Sequence, residues 1–338
     1  MVDLATNLEK IAVVQTAQLG DLLFLSPLVR VLKLAWPRSR VTLVTQPRNV
    51  PLGACIPGVD EVLPFDPDQA DASLAGIKRV ARSLKSTELI VVPQPTMRSA
   101  MLAWLSGAPT RVGADLPVKR RFFNVKVAVR AREPVVERAM DMARALGVEG
   151  PTELQLVAPA AEVAKARELL GTAPSVGLAL GADWATKRWP VESYVDLARR
   201  AHESGLRPVL VGEPEDRPLA DAFLAQSKVP VLDLVGKGPL ETLAVLSLLK
   251  GVCGGDAGWV HAARAAGVPA LLLFGPTDPG GHTLEYYAQA LCVGLSCQPC
   301  EEKGERACPL GHQDCLKTLE PDRVWTAFSR LLAHGGRR

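Results

Sequence analysis

Long hydrophobic runs are missing from this chain of 338 residues, and none approaches the roughly 20 apolar residues that cross a bilayer. The N-terminus carries Asp3, Glu9 and Lys10 with no apolar segment behind them, which is not a secretory pattern. Charge of one sign is also lacking. Lys and Arg number 39 against 36 Asp and Glu, and a net charge of +3 is too small to argue for a nucleic-acid partner. Neither half contains G-x-G-x-x-G, which weighs against a nicotinamide enzyme. These absences leave a cytoplasmic globular protein that meets a membrane, if at all, peripherally at its surface.

What is present is a chain that is 48% hydrophobic and long enough for two domains, with strand-like and helix-like segments in alternation. Ile11–Gln15, Val41–Thr45, Val59–Pro64 and Leu89–Val92 read as strands, and Leu22–Trp36, Ala72–Leu84 and Ser99–Leu105 as helices between and after them. After a proline-bearing linker at 151–159 the pattern resumes: strands at Val176–Leu180, Pro208–Val211 and Val231–Leu232, helices at Ala161–Leu170, Val191–Ser204, Leu219–Ala225 and Leu240–Leu249. Alternation of this kind predicts parallel sheets covered on both faces, with ligands beyond the carboxyl ends of the strands. The expected fold is therefore α/β: two Rossmann-like parallel-sheet domains facing across a cleft, residues 1–155 and 156–320. A terminal helix, 321–338, is expected to cross back to the first domain, by analogy alone.

The most informative stretch runs from Val252 through Gly254, Gly255, Asp256, Ala257 and Gly258 to His261, then Gly267 and Pro269. It reads as a strand end, a glycine-rich turn and an alanine-rich helix. The N–H groups at such a helix start favour an anion, and Asp256 and His261 lie beside them. From spacing alone, Asp256 is equally an N-cap and His261 a packed side chain. Two further loops follow strands: Gly20-Asp21 after Ile11–Val14, and Lys187-Arg188-Trp189-Pro190 after Val176–Gly181. Asp21 reads as a general base or as a helix cap, and Lys187 as a phosphate ligand or as a surface lysine. Trp189 reads as core. Glu213 sits where an acid could hold a ribose hydroxyl. Arg111, Lys119, Arg120, Arg121, Lys126, Arg130 and Arg132 oppose one acid, Asp115, in a stretch that suits phosphates, an anionic membrane, or only solvent.

Taken in order, these three loops resemble the heptosyltransferases of lipopolysaccharide core assembly, glycosyltransferase family 9, over nearly the whole chain. The likeness is strongest to the type that adds the second core heptose. It implies the GT-B architecture and an inverting, metal-independent transfer from ADP-heptose to the inner core. The acceptor would be an acidic glycolipid at the inner face of the inner membrane. In the matching motif, Gly20-Asp21-Leu22 with Ser26-Pro27-Leu28 and Leu32-Lys33, the Asp is the catalytic base. Lys187 corresponds to a residue on the donor phosphates, and Ala182 and Asp183 to positions that approach the donor. Asp256, Ala257, Gly258 and His261 correspond to an Asp-Thr-Gly-x-x-His loop on the sugar and diphosphate. Ala257 in place of Thr removes a hydroxyl donor worth ~1.5–3 kcal/mol to a charged group. Asp183 replaces a hydroxyl residue and is expected to face Lys187 or the sugar. Gly20, Arg98, Arg120 and Arg121 are the acceptor-side candidates.

Of seven cysteines, Cys55, Cys253 and Cys292 read as core, while Cys297, Cys300, Cys308 and Cys315 cluster and offer four thiols to a structural zinc or pack reduced. No cofactor is otherwise required. The rival readings are a GT-B transferase or epimerase using another nucleotide sugar, and a catalytically silent module that binds a nucleotide sugar or glycolipid.

Overall fold

The structure is a computed structural model that describes residues 7–130, 133–282, 284–300 and 307–335. Two compact units divide between Val157 and Ala158. The first holds β1 (Lys10–Gln15), β2 (Arg40–Thr45), β3 (Glu61–Pro64), β4 (Leu89–Val92), β5 (Thr110–Ala114) and β6 (Val125–Val127). The second holds β7 (Ser175–Ala179), β8 (Arg207–Val211), β9 (Leu232–Asp233), β10 (Gly251–Gly255), β11 (Ala270–Leu273) and β12 (Ala288–Leu291).

Each unit is one parallel six-stranded sheet. The strand orders are β3-β2-β1-β4-β5-β6 and β12-β11-β10-β7-β8-β9. Counted from its own first strand, the second sheet repeats the order of the first, the doubly wound 3-2-1-4-5-6. The winding reverses between β1 and β4 in one unit and between β7 and β10 in the other. The segments that follow those strands carry Asp21 and Gln94 in the first unit, and Lys187 and Asp256 in the second.

Central strands are apolar on both faces because helices cover both, as in Val13, Val14, Val91 and Val92 or Val176, Leu178, Val252 and Cys253. Edge strands alternate instead: Val125 and Val127 are buried and Lys126 between them is exposed. That alternation, inside a run of cations, hid β6 within the expected basic stretch, and Arg111 at the start of β5 placed that strand in the same stretch. Gly113 of β5 is required by packing, since a Cβ there would lie 2.6 Å from the Phe123 ring.

The helix expected over Leu22–Trp36 is two, Leu19–Leu23 and Ser26–Ala35. Pro27 has no N–H for the carbonyl of Leu23, and the ring crowds that position. The Ser26 hydroxyl donates to the Leu23 carbonyl instead (2.8 Å) and accepts from the Gln155 amide (3.0 Å). The terminal helix, Pro321–His334, also departs from expectation. It packs on β10, β11, β12 and the helix Val191–Glu203, all in its own unit, and Val324 and Phe328 lie in that unit's core. An apolar stripe three and four residues apart (Val324, Phe328, Leu331) is satisfied at home. Among the described residues no helix is long and apolar enough to cross a membrane.

Phe328 is fully buried. Phe328→Ala is expected to cost about 3–5 kcal/mol, read as a lower denaturant midpoint for the second unit's transition. A change below about 1 kcal/mol would contradict the helix's place in that core.

Candidate active site

The site in the second unit is built around Asp256, the first residue past β10. Gly254 and Gly255 let β10 approach its neighbours: a Cβ on Gly254 would come within 2.7 Å of the Ala179 carbonyl, and one on Gly255 would collide with the Lys187 carbonyl. Close approach, not a positive φ, is what these glycines supply; the positive φ is at Gly267, +78°, past the helix Gly258–Ala265. Ala257 is that helix's N-cap and gives no side-chain bond. Asp256, free of the capping task, faces four partners. Its Oδ2 lies 2.6 Å from the Lys187 ammonium and accepts from the Thr277 hydroxyl at 2.9 Å. Its Oδ1 lies 2.9 Å from His261 Nε2 and 3.4 Å from His282 Nε2.

The electrostatics follow from that shell. Burial by itself would raise the Asp256 carboxyl, but the His261 hydrogen bond and the Lys187 charge outweigh it and hold the group well below the usual carboxylate range. Burial drives the His261 imidazole down to about 3, and the neighbouring charge of Arg264 adds to this. His261 is therefore neutral in the working range. Its ring stacks on His282 at 5.0 Å. The candidate ligand atoms of Asp256, His261 and His282 lie within 4.8 Å of one another. A cation there would face the Lys187 ammonium, and the Arg264 guanidinium donates to the other His261 nitrogen at 2.9 Å. Two histidines and a carboxylate are common metal donors, but these neighbouring cations oppose a further positive charge.

Around this hub, Ala182 is buried and its carbonyl accepts from Arg188 Nε (3.0 Å) and from an Arg188 terminal nitrogen (2.8 Å), which fixes the loop after β7. Asp183 is exposed. The carboxylate that Lys187 faces is Asp256, because β10 lies beside β7 and delivers Asp256 to the Lys187 loop; of the two placements expected for Asp183, towards Lys187 or towards the sugar, the first is taken by Asp256. Trp189 is core, with its indole N–H on the Leu319 carbonyl at 2.9 Å. Glu213 leaves β8 at the carboxyl end, and its amide donates to Asp216 (2.9 Å).

In the first unit, Asp21 lies in the first turn of the helix Leu19–Leu23, one residue after Gly20; the N-cap is Gln18. Asp21 Oδ1 accepts from Gln94 Nε2 at 3.1 Å, across the reversal between β1 and β4. Arg98 starts the helix after β4 and pairs with Asp68 (3.1 Å). Arg120 pairs with Asp115 at the end of β5 (3.0 Å), and Arg121 lies over the Phe122 ring, 5.1 Å from its centre. Arg111 Nε donates to the Phe122 carbonyl (2.9 Å), which ties Phe122 to the start of β5, the end away from Asp21. The stretch thus spends Arg111, Arg120 and Arg130 on local bonds. Arg132 lies outside the described residues.

None of the four clustered cysteines is in a disulfide. Burial, and the thiols of Cys300, Cys308 and Cys297, push Cys315 up to about 11. Backbone N–H groups of Gln313, Leu310, Gly311 and His312 lower Cys308. The loop is tied to the site: the Cys300 amide donates to the Pro276 carbonyl (3.0 Å) and Gln313 Nε2 to the Ala185 carbonyl (3.1 Å).

Comparison with known proteins identifies the family. The model of glycosyltransferase family 9 (heptosyltransferase) matches residues 77–312. The chain belongs to glycosyltransferase family 9. Lipopolysaccharide heptosyltransferase 2 of Escherichia coli K12 is 24% identical over 96% of this chain and 98% of its own length. A family 9 glycosyl transferase from Veillonella parvula superposes with a TM-score of 0.87 at 22% identity, covering 98% of this chain and 99% of that one. The ADP-heptose lipopolysaccharide heptosyltransferase II of E. coli superposes at 0.80 with 22% identity, covering 96% and 99%. The fold is thus the α/β GT-B class, and this family 9 member is a glycosyltransferase.

The family resemblance had singled out Asp21, Lys187, Asp256 and His261, but not Gln94, Arg188, Arg264, Thr277 or His282. Arg264 lies between Val252 and Pro269 and Arg188 beside Lys187, and nothing in the spacing distinguished them. The low value of His261 has a sign consequence. An imidazole at about 3 when folded and about 6.5 when unfolded binds fewer protons in the folded state. Its contribution to stability is full above about pH 6.5 and is lost as pH falls towards the folded value. His261→Gln has no such loss. The stability gap between wild type and His261→Gln, followed by thermal unfolding, is expected to narrow from pH 7.5 to pH 5. A constant gap would contradict a neutral buried His261.

Proposed function

We propose that this glycosyltransferase moves heptose from ADP-heptose to an acidic lipopolysaccharide inner core, with inversion and without a catalytic metal. The observation that carries the reading is the Lys187–Asp256–His261 group at the second unit's reversal point, beside the N-terminus of the helix Gly258–Ala265. As the glycosidic bond breaks, negative charge builds on the departing diphosphate. Lys187 supplies a fixed cation for it, and the amides of the Ala257–Gly258 turn supply donors. Asp256 orients Lys187 and offers its carboxylate edge to sugar hydroxyls; Ala182, Asp183 and Glu213 border the donor in the same reading. In the first unit Asp21 takes the proton of the attacking acceptor hydroxyl, oriented by Gln94. The names of the relatives support ADP-heptose as donor and lipopolysaccharide as acceptor. Action at the inner face of the inner membrane fits an acceptor of that kind, with Arg98, Arg120 and Arg121 as cations on the acceptor-side unit. A structural zinc on Cys297, Cys300, Cys308 and Cys315 is the remaining element, since four thiols in one segment of the chain suit a tetrahedral site.

Calorimetric titration with ADP, UDP and GDP in chelator tests the donor. Selective ADP binding is expected, and a preference for UDP or GDP would discard ADP-heptose. Lys187→Ala is expected to weaken ADP about 10- to 100-fold, the worth of a hydrogen bond to a charged group; unchanged affinity would remove Lys187 from the phosphates. Asp21→Asn at saturating donor should lose about 10²- to 10⁴-fold in turnover with ADP affinity unchanged, whereas undiminished turnover would remove Asp21 as the base. Metal analysis of the purified protein, against Cys308→Ser with Cys315→Ser, is expected to find one zinc lost; no zinc in the wild type would remove that element.

A further inference from the structure

Arg264 is an arginine with a fully buried side chain on an alanine-rich helix, a placement that is costly unless every charge is met. Its guanidinium meets Glu285 and His261. Nε and one terminal nitrogen both lie 3.0 Å from Glu285 Oε2, and the other terminal nitrogen lies 2.9 Å from His261 Nδ1. The Arg264 carbonyl accepts from the Tyr287 hydroxyl at 3.2 Å. Glu285 thus aims the fork, and the fork meets the imidazole three residues back on the same helix.

A guanidinium has donors only and keeps its charge. Nδ1 of His261 must therefore present its lone pair to Arg264, and the single ring proton resides on Nε2, directed at Asp256 Oδ1 2.9 Å away. A second proton on Nδ1 would set donor against donor and one positive charge beside another. The charged and titratable groups around His261 are Arg264 on its own helix, Asp256 on the loop after β10, Lys187 on the loop after β7 through Asp256, His282 stacked on its ring, and Glu285 behind Arg264.

We infer that Arg264 is a positioning residue of the donor site: it locks His261 in the Nε2–H tautomer, so that His261 acts as a fixed donor to Asp256 and not as an acid that protonates the leaving diphosphate. The order is Glu285, Arg264, His261, Asp256, Lys187, a chain of contacts that ends on the cation offered to the phosphates. The inference rests on the donor reading only for its last link; the tautomer is a property of the protein without ligand. It also gives a physical reason for keeping His261 proton-inert: a protonated ring would draw Asp256 towards itself and away from Lys187, which would loosen the phosphate cation.

The test replaces the pair together, Arg264→Met with Glu285→Met, because removing one partner strands a buried charge whereas paired apolar replacement is often tolerated. Imidazole ¹⁵N spectra of the ligand-free protein, labelled at histidine, report tautomer and titration directly. Wild type is expected to show His261 as Nε2–H down to pH 5 without titrating. In the double variant His261 should gain the Nδ1 proton with a midpoint at least one pH unit higher. Calorimetric ADP affinity should then fall several-fold as pH is taken below the midpoint that the spectra give for His261 in the variant, beyond any wild-type change over the same range. If the double variant does not fold, Arg264→Lys carries the same readouts, since it keeps a charge for Glu285 without the fork. Two results would overturn the inference: an unchanged His261 tautomer and titration in the variant, or a loss of ADP affinity equal at every pH, which is what a merely structural arginine would give. Failure of the wild type to bind ADP would overturn the donor reading instead, and the spectra would still decide the role of Arg264.

Discussion

The ion pair between Lys187 and Asp256, 2.6 Å long and nearly buried, is the contact on which the second unit's chemistry depends. It joins the loops leaving β7 and β10, neighbours in the sheet, at the point where the winding reverses. An ammonium so placed would be expelled to water without its carboxylate, and the carboxylate would protonate without its donors. The surroundings can be read as the means of keeping both charged. Thr277 and His261 saturate the carboxylate, Arg264 and Glu285 fix His261, and glycines at 254 and 255 let the strand come close enough for the pair to form.

The first unit repeats the device with weaker partners. Its winding reverses between β1 and β4, and the hydrogen bond from Gln94 to Asp21 spans that reversal at 3.1 Å. A neutral amide orients a carboxylate without placing an opposite charge beside it. The same crevice of a doubly wound sheet thus carries a compensated charge pair in one unit and an oriented, uncompensated carboxylate in the other. The first arrangement suits holding an anion, the second suits proton abstraction.

Much of this was legible in the order of residues. Central strands such as Leu89–Val92 and Val176–Ala179 are apolar without interruption, and helices such as Val191–Glu203 have the 3.6-residue stripe, so alternation of the two types was visible. Asp21, Lys187, Asp256 and His261 were visible because each follows a strand within a short motif. The edge strand β6 was not, because Lys126 on its exposed face read as part of a basic loop, and neither was β5, whose Arg111 opens the same run of cations. The helix break at Ser26-Pro27 was missed although its cause, a proline without an N–H, lay in plain view.

By itself, the sequence determined the class of fold, the division into two units and the chemical type of the motif residues, since these rest on local periodicity and on which side chains are ionisable. Tertiary structure alone decided which groups meet. Asp256 rather than Asp183 faces Lys187, Gln94 reaches Asp21 across 73 positions, and Glu285 aims Arg264 at His261. The terminal helix, likewise, belongs to its own unit. Such pairings depend on strand order, and strand order is set by how whole layers pack, which no short stretch of residues encodes.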